Sequence, residues 1–223
     1  MKTCPRQHLV FRRAIVAFIT AFVCSCPVFA GDQAYEPLSA SVQHALQRAV
    51  SDQAVEGTSF QSEYAARHWI SAMSKRLRNR LTESIGRVDF LRTVHYEAIR
   101  AGLDPQLVLA VIQVESNFRK YAVSKAGARG FMQVMPFWVD TIGTKDHNLF
   151  HLRTNLRYGC LILRHYLDIE HGNLNRALGR YNGSLGQSWY PSMVQKAWKS
   201  AWQYTGVSIS KKAASGPIAA TNP

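Results

Sequence analysis

Glu115 closes an apolar helical run, LDPQLVLAVIQVES, and is followed by Ser116, by Ser124 and by the stretch GARGFMQVMP at residues 127–136. After Glu115 the only acids are Asp140, Asp146, Asp168 and Glu170. A carboxylate set among apolar positions is costly to bury. Partial burial also raises a carboxyl pKa, so such a group can hold a proton near neutral pH and deliver it to a leaving oxygen. Glu115 is therefore a candidate proton donor, and the chain a candidate glycan-cleaving enzyme. Most glycosidases pair two carboxylates across the scissile bond. A second one is hard to find here: Asp140 is the nearest downstream acid, and no pattern sets it opposite Glu115.

The elements that must position Glu115 read as helices. SVQHALQRAV at 41–50 is a short amphipathic segment, and Gly57-Thr58-Ser59 reads as a break. Within 61–81, Ala65, Trp69, Met73 and Leu77 recur every four residues and share a face. A third helix is predicted from about Val88 to Arg100, ended by Gly102. Asp104 is a helix cap with Pro105 at the first helical position. The helix that follows is apolar on most of its surface, which predicts a central place. Pro136 marks a stop or start. Residues 151–170 form another helix, with Leu156, Cys160, Leu163 and Leu167 on one face. Residues 173–181 form a short one closed by Asn182-Gly183. Pro191 opens a last helix reaching Tyr204, with Met193, Val194, Ala197, Trp198, Ala201 and Trp202 as its apolar positions. No run reads as a strand beyond short pieces near the turn after Glu115. The fold class is mainly α. The domains expected are a segment at 1–30, a helical extension at 31–87, a helical domain at 88–205, and a disordered tail at 206–223 without a packing pattern.

The first thirty residues carry Lys2, Arg6, Arg12 and Arg13 without an acid, then AIVAFITAFVC, then PVFA before Gly31. That is the three-part pattern of a secretory signal peptide. Its apolar run is shorter than the roughly 18–20 residues of a spanning helix. Val23-Cys24-Ser25-Cys26 also resembles a lipobox, in which Cys26 would carry a lipid anchor. Cys160 is the one cysteine beyond residue 30, which leaves no disulfide staple and no cysteine cluster for zinc. It reads as a small buried hydrophobe. The net charge of +13 admits nucleic acid, anionic lipid or an anionic polymer as partner. The strongest local cluster is Lys75, Arg76, Arg78 and Arg80, which also reads as a solvated helix face. An exported basic protein meets the anionic cell envelope, so nucleic acid is not expected. Nothing calls for a metal or an organic cofactor.

Three ordered stretches resemble one family. ESNFRKYAVSKAGARGFMQVMP, residues 115–136, resembles the signature of the lytic transglycosylase domain, a soluble branch of the lysozyme-like superfamily. NLFHLRTNLRYGCLILRHYL at 148–167 supplies Asn148, Asn155, Gly159, Tyr166 and Leu167. ALGRYNGSLG at 177–186 supplies Tyr181-Asn182-Gly183. Together they span roughly residues 88–204. Phe131 stands where the family often has leucine, and Tyr181-Asn182-Gly183-Ser184 is one residue tighter than Tyr-Asn-Ala-Gly.

The resemblance implies a lysozyme-like helical domain with an active-site cleft. It also implies cleavage of the β-1,4 bond between N-acetylmuramic acid and N-acetylglucosamine in peptidoglycan, closing a 1,6-anhydro ring without water. Glu115 would act first as acid and then as base, the substrate's N-acetyl group standing in for the second carboxylate. Ser124 would hydrogen-bond near the reacting sugar, or serve only as a turn serine. Met132 and Gln133 would line the cleft, although composition alone puts Met132 in the core. Tyr181 and Asn182 would sit beside the acid, Tyr181 positioning substrate or Glu115, although Asn182-Gly183 could be only a helix-ending turn. A muramidase using water, or a silent peptidoglycan-binding or assembly protein, are the other readings. Compact exported relatives often serve a secretion, conjugation or pilus machine. The extension at 31–87 could dock such a partner or pack on the catalytic domain. The location implied is the periplasm at the cell wall, membrane-tethered if Cys26 is lipidated.

Overall fold

The computed structural model describes Gln33, residues 35–51 and residues 59–206. The readings of a signal peptide, of Cys26, of Gly57-Thr58 and of a tail beyond Gly206 fall outside the described residues. Among the described residues eight α-helices follow in order: α1 Ala40–Ser51, α2 Glu63–Leu77, α3 Ser84–Arg100, α4 Pro105–Ser116, α5 Phe137–Ile142, α6 Leu152–Ile169, α7 Leu174–Asn182 and α8 Trp189–Ala197. A π-helical turn, Trp198–Trp202, continues α8. The mainly helical class expected from periodicity is the one observed. Among the described residues the extended structure is limited to the isolated bridges Val123–Arg129 and Arg129–Val134.

The helix starts have local causes. Ser62 Oγ accepts from the Ala65 amide, Asp104 Oδ1 accepts from Gln106 at 2.7 Å, and Asn173 Oδ1 accepts from Arg176. Each satisfies an orphan donor of a first turn. Pro105 follows Asp104 where its missing N–H costs nothing. Gly183, at φ 77, closes α7 as its left-handed cap.

α4 is the axis of the molecule, buried at ten of its twelve residues. α3, α8 and the π turn pack around it. Val108, Leu109, Val111 and Ile112 have no exposed surface. Each contributes about 1.5–3 kcal/mol of transfer free energy, which holds the end of α4 in place against the cost of burying Glu115. α6 is the second buried helix, and α3, α7 and α1 lie against it. Cys160 on α6 is buried and unoxidised, its thiol pKa pushed up by burial. Such a thiol packs and does not react.

The first two helices share this core. On α1, Leu46 and Val50 are buried, Gln43 Nε2 donates to Thr141 O at 2.8 Å, and Arg157 donates to Val50 O at 3.1 Å. On α2, Trp69 Nε1 donates to Gln106 Oε1 at 3.1 Å, which ties α2 to the start of α4. Beneath α1, the buried Glu97 is held by Arg157 at 3.3 Å and Arg100 at 3.6 Å.

Several boundaries differ from the sequence reading. α3 starts four residues before Val88, so a border drawn at residue 88 cuts through a helix. α8 starts at Trp189, with Pro191 inside its first turn, and gives way to the π turn after Ala197. Met193, read as one of the apolar positions of this helix, is 44% exposed. α5 is a six-residue helix too short to show a period, with Pro136 as its cap.

Candidate active site

Glu115 lies in the last turn of α4 with 1% of its surface exposed. The hydroxyl of Tyr190 donates to Glu115 Oε1 at 2.5 Å. Tyr190 is itself fully buried, in the first turn of α8 against α4. Burial first, then the nearby charge of Glu115, pushes the Tyr190 pKa far above the usual phenol value. Tyr190 therefore remains a protonated donor throughout the neutral range. Two further buried carboxylates, Glu97 and Glu170, are each held by two arginines, which neutralise their charge. The tyrosine donor at Glu115 orients the carboxyl without adding a charge of its own.

α4 then ends sharply. Asn117 (φ 48) and Phe118 (φ 65) both take left-handed backbone. For a bulky residue such as Phe118 this is a genuine strain of order 1–3 kcal/mol. Packing offsets it. The Phe118 ring is buried against Phe90 and Trp202, and Arg80 lies 5.7 Å from its centre. Arg80 also donates to Asn117 Oδ1 at 3.0 Å.

The Gly-rich motif folds as a tight turn whose carbonyls are taken up by side chains in succession. Asn155 Nδ2 donates to Arg129 O at 2.8 Å, and Gln133 Nε2 to Gly130 O at 2.9 Å. Ser116 Oγ donates to Phe131 O at 2.7 Å, and the Tyr181 hydroxyl to Met132 O at 2.7 Å. Asn155 Oδ1 also accepts from the Met132 amide at 2.8 Å. Gly130 sits at φ 76, and a Cβ there would fall 2.6 Å from Leu149 O. Gly159 lets α6 approach the turn: a Cβ on it would lie 2.7 Å from Met132 Cβ. Thus Ser116 of α4, Asn155 and Gly159 of α6 and Tyr181 of α7 all clamp one short loop beside the residue that follows Glu115.

The residues singled out in the sequence separate into two groups. Glu115 is buried at the end of α4, and Ser124, read as hydrogen-bonding near the sugar or as a turn serine, is half-buried with its Oγ accepting from the Ala128 amide at 3.0 Å. Met132 is corrected: it has no exposed surface and packs on Gly159, so its side chain cannot lie on a sugar face. Gln133 and Asn182 are 2% and 3% exposed and Tyr181 is fully buried. Tyr181 is not the hydrogen-bond partner of Glu115; its hydroxyl goes to the turn, and Tyr190 holds the acid. Gln133 Oε1 and Asn182 Nδ2 are buried with no protein partner among the described residues. Asp140 is exposed on α5, which packs on α1, whereas α8 brings Tyr190 to the acid. Tyr190 was missed, because nothing in Trp189-Tyr190-Pro191 marks a partner seventy-five residues from Glu115. Among the described residues no cluster of His, Cys, Asp or Glu is arranged to hold a metal.

Residues 92–202 match the family model of the transglycosylase SLT domain. The matched region, from α3 to the π turn, is a member of this family. The match begins within α3 and ends with the π turn, so it takes in Glu115, the clamped turn and Tyr190. The transglycosylase of Enterobacteria phage PRD1 is 30% identical over 140 residues, covering 60% of this chain and 52% of that protein. Membrane-bound lytic murein transglycosylase C of Photorhabdus laumondii is 44% identical over 46 residues, 21% of this chain and 13% of that protein. The corresponding protein of Actinobacillus pleuropneumoniae is 49% identical over 47 residues, again 13% of its length. The chain thus spans about half of the phage relative and a small part of the others. The X-ray structure of an inactive mutant of lytic transglycosylase Slt from Pseudomonas aeruginosa aligns over 75% of this chain and 32% of that chain. Its identity is 19% and its TM-score 0.40.

Proposed function

We propose that this SLT-domain protein is an exported peptidoglycan lytic transglycosylase with Glu115 as its acid and base. The observation that carries the reading is the buried Glu115 carboxyl, oriented by the neutral Tyr190 donor at 2.5 Å beside the clamped turn of the family motif. In the first step Glu115 gives its proton to the oxygen of the β-1,4 bond, and the bond from that oxygen to C1 of N-acetylmuramic acid breaks. The substrate's N-acetyl oxygen stabilises C1. In the second step the C6 hydroxyl loses its proton to the Glu115 carboxylate, and O6 bonds to C1 as the 1,6-anhydro ring closes. The proton balance is zero over the cycle, and water is not consumed. Tyr190 acts as a positioning residue by fixing which oxygen of Glu115 is turned away from it. Ser124, half-buried on the loop, is the group of the motif available to the sugar. Met132, Gln133 and Tyr181 support the turn from within, and Asn182 is buried at the end of α7.

Two of the curated relatives are named as membrane-bound, and with the sequence pattern at 1–30 this supports a periplasmic place at the cell wall. Either signal cleavage before Gly31 or lipidation of Cys26 is compatible with it. A secretion, conjugation or pilus machine as partner rests on the resemblance alone.

The test is mass spectrometry of muropeptides released from purified sacculi by the chain and by Glu115→Gln. The expected result is 1,6-anhydromuramic ends from the first and a loss of product of at least about a thousandfold from the second, the scale of losing acid–base catalysis. Reducing muramic ends would reassign the protein as a muramidase. Binding without product from either would leave a wall-binding module.

A further inference from the structure

Between Ser116 and Val139 the chain has no acid, yet it carries Arg119, Lys120, Lys125 and Arg129, all exposed. The segment is the loop that leaves Glu115 and returns into the clamped turn. On it stands Tyr121, 70% exposed. Its ring meets that of Phe150, from the loop before α6, with centroids 5.9 Å apart. Each ring has a cation beside it: Lys120 Nζ is 5.1 Å from the centre of Tyr121, and the Arg129 guanidinium is 6.0 Å from the centre of Phe150. Two aromatic rings, Tyr121 exposed and Phe150 half-buried, flanked by two cations thus form a single strip.

This strip is built on the site rather than apart from it. Ala122 O, next to Tyr121, accepts from the Gly130 amide at 2.9 Å and from Gln133 Nε2 at 3.1 Å. Arg129 O is held by Asn155. Arg119 Nε donates to Ser116 O at 3.0 Å, beside Glu115. A tyrosine so exposed adds little to the core, so its ring is open to a ligand. Aromatic faces take the C–H faces of sugars and aliphatic chains, and guanidinium and ammonium groups take carboxylates.

We propose that Lys120, Tyr121, Arg129 and Phe150 form a recognition surface for the carboxylate-bearing stem peptides of a glycan strand. This rests on the reading of peptidoglycan as substrate. The apolar stems of the peptide lie on the two rings while its carboxylates pair with Lys120 and Arg129. The surface then selects strands that still carry peptides and draws them toward Glu115. No acid of the loop opposes it, so the charge acts as one field over a Debye length of about 8 Å at physiological salt.

The experiment measures binding by co-sedimentation, in the Glu115→Gln chain so that nothing is cleaved. The probes are native sacculi, sacculi whose carboxylates have been amidated with carbodiimide, and phosphatidylglycerol vesicles. The Lys120→Gln/Arg129→Gln double variant is expected to bind native sacculi about tenfold more weakly, near the upper range for two exposed ion pairs. On amidated sacculi the two proteins should bind alike. Tyr121→Ala should weaken binding to both kinds of sacculi, since it removes the apolar face. In the active chain the double variant should raise KM for sacculi and leave kcat unchanged. Equal binding of native sacculi by the double variant and its parent would overturn the proposal, as would an equal loss on amidated sacculi. A loss seen on the vesicles and not on sacculi would assign the strip to lipid headgroups and overturn it too. Failure of the catalytic reading appears separately, as absence of anhydromuramic product while charge-dependent binding persists.

Discussion

Removing the Tyr190 hydroxyl is the sharpest perturbation this site allows. Tyr190→Phe keeps the ring, which is fully buried, and so leaves no cavity beyond one oxygen. It deletes the donor 2.5 Å from Glu115 Oε1. A buried acceptor deprived of its donor costs about 1–3 kcal/mol. If that interaction orients the acid in the transition state, kcat falls by roughly 5- to 150-fold. KM should hardly move, because Tyr190 has no surface from which to touch substrate. The same loss in the ground state lowers Tm by about 2–10 °C for a domain of this size. The assay is release of anhydromuropeptides under saturating and limiting sacculi, with thermal unfolding measured alongside. A Tyr190→Phe protein with the parent kcat would refute the positioning role, whatever its Tm. A fall in kcat matched by Gln113→Ala, which removes the acceptor for Trp202 Nε1 on the same helix, would show a general loosening of α4 instead.

Gly159→Ala should destabilise by about 1–3 kcal/mol through overpacking on Met132. Urea unfolding would show it, and adding Met132→Ala should recover part of the loss, since the two sites couple through contact. His95 supplies a pH signature. It has no exposed surface, with its Nδ1 against Ser59 Oγ and its ring stacked on Phe60. Burial lowers its pKa from 6.5 to about 3. A depressed histidine pKa means the unfolded chain takes up a proton that the folded chain refuses. Its contribution is therefore intact above pH 6.5 and lost progressively down to about pH 3. The slope is up to about 1.4 kcal/mol per pH unit. Unfolding free energies from pH 7 to 4 should fall more steeply for the parent than for His95→Gln, and parallel curves would exclude the assignment.

Much of the fold could be read from the chain because its causes are local. Leu156, Cys160, Leu163 and Leu167 share a face by spacing, Asp104 caps with its own side chain, and the apolar wrap of α4 has no stable place except at the centre. Glu115 stood out for the same reason, as a charged group in a run that had to be buried. The tight turn after Glu115 has a local cause too, since Gly130 sits at φ 76, where a glycine is at ease. What the sequence could not determine was which side chains meet across distant elements. Composition puts Met132 in the core and the family resemblance puts it in the cleft, and Gly159 of α6, against which it packs, decides for the core. Tyr181 and Tyr190 are both tyrosines near the end of the chain, and only the docking of α7 and α8 decides that one holds the turn and the other holds the acid. The packing of α1 and α2 into the core was likewise open, since an amphipathic helix shows that a face must be covered and not by what. The strip of Lys120, Tyr121, Phe150 and Arg129 joins two loops whose contact no periodicity encodes. Local structure follows from short-range sterics and hydrogen bonding along the chain, whereas chemistry at this site depends on contacts between segments far apart in it, and those exist only once the core has packed.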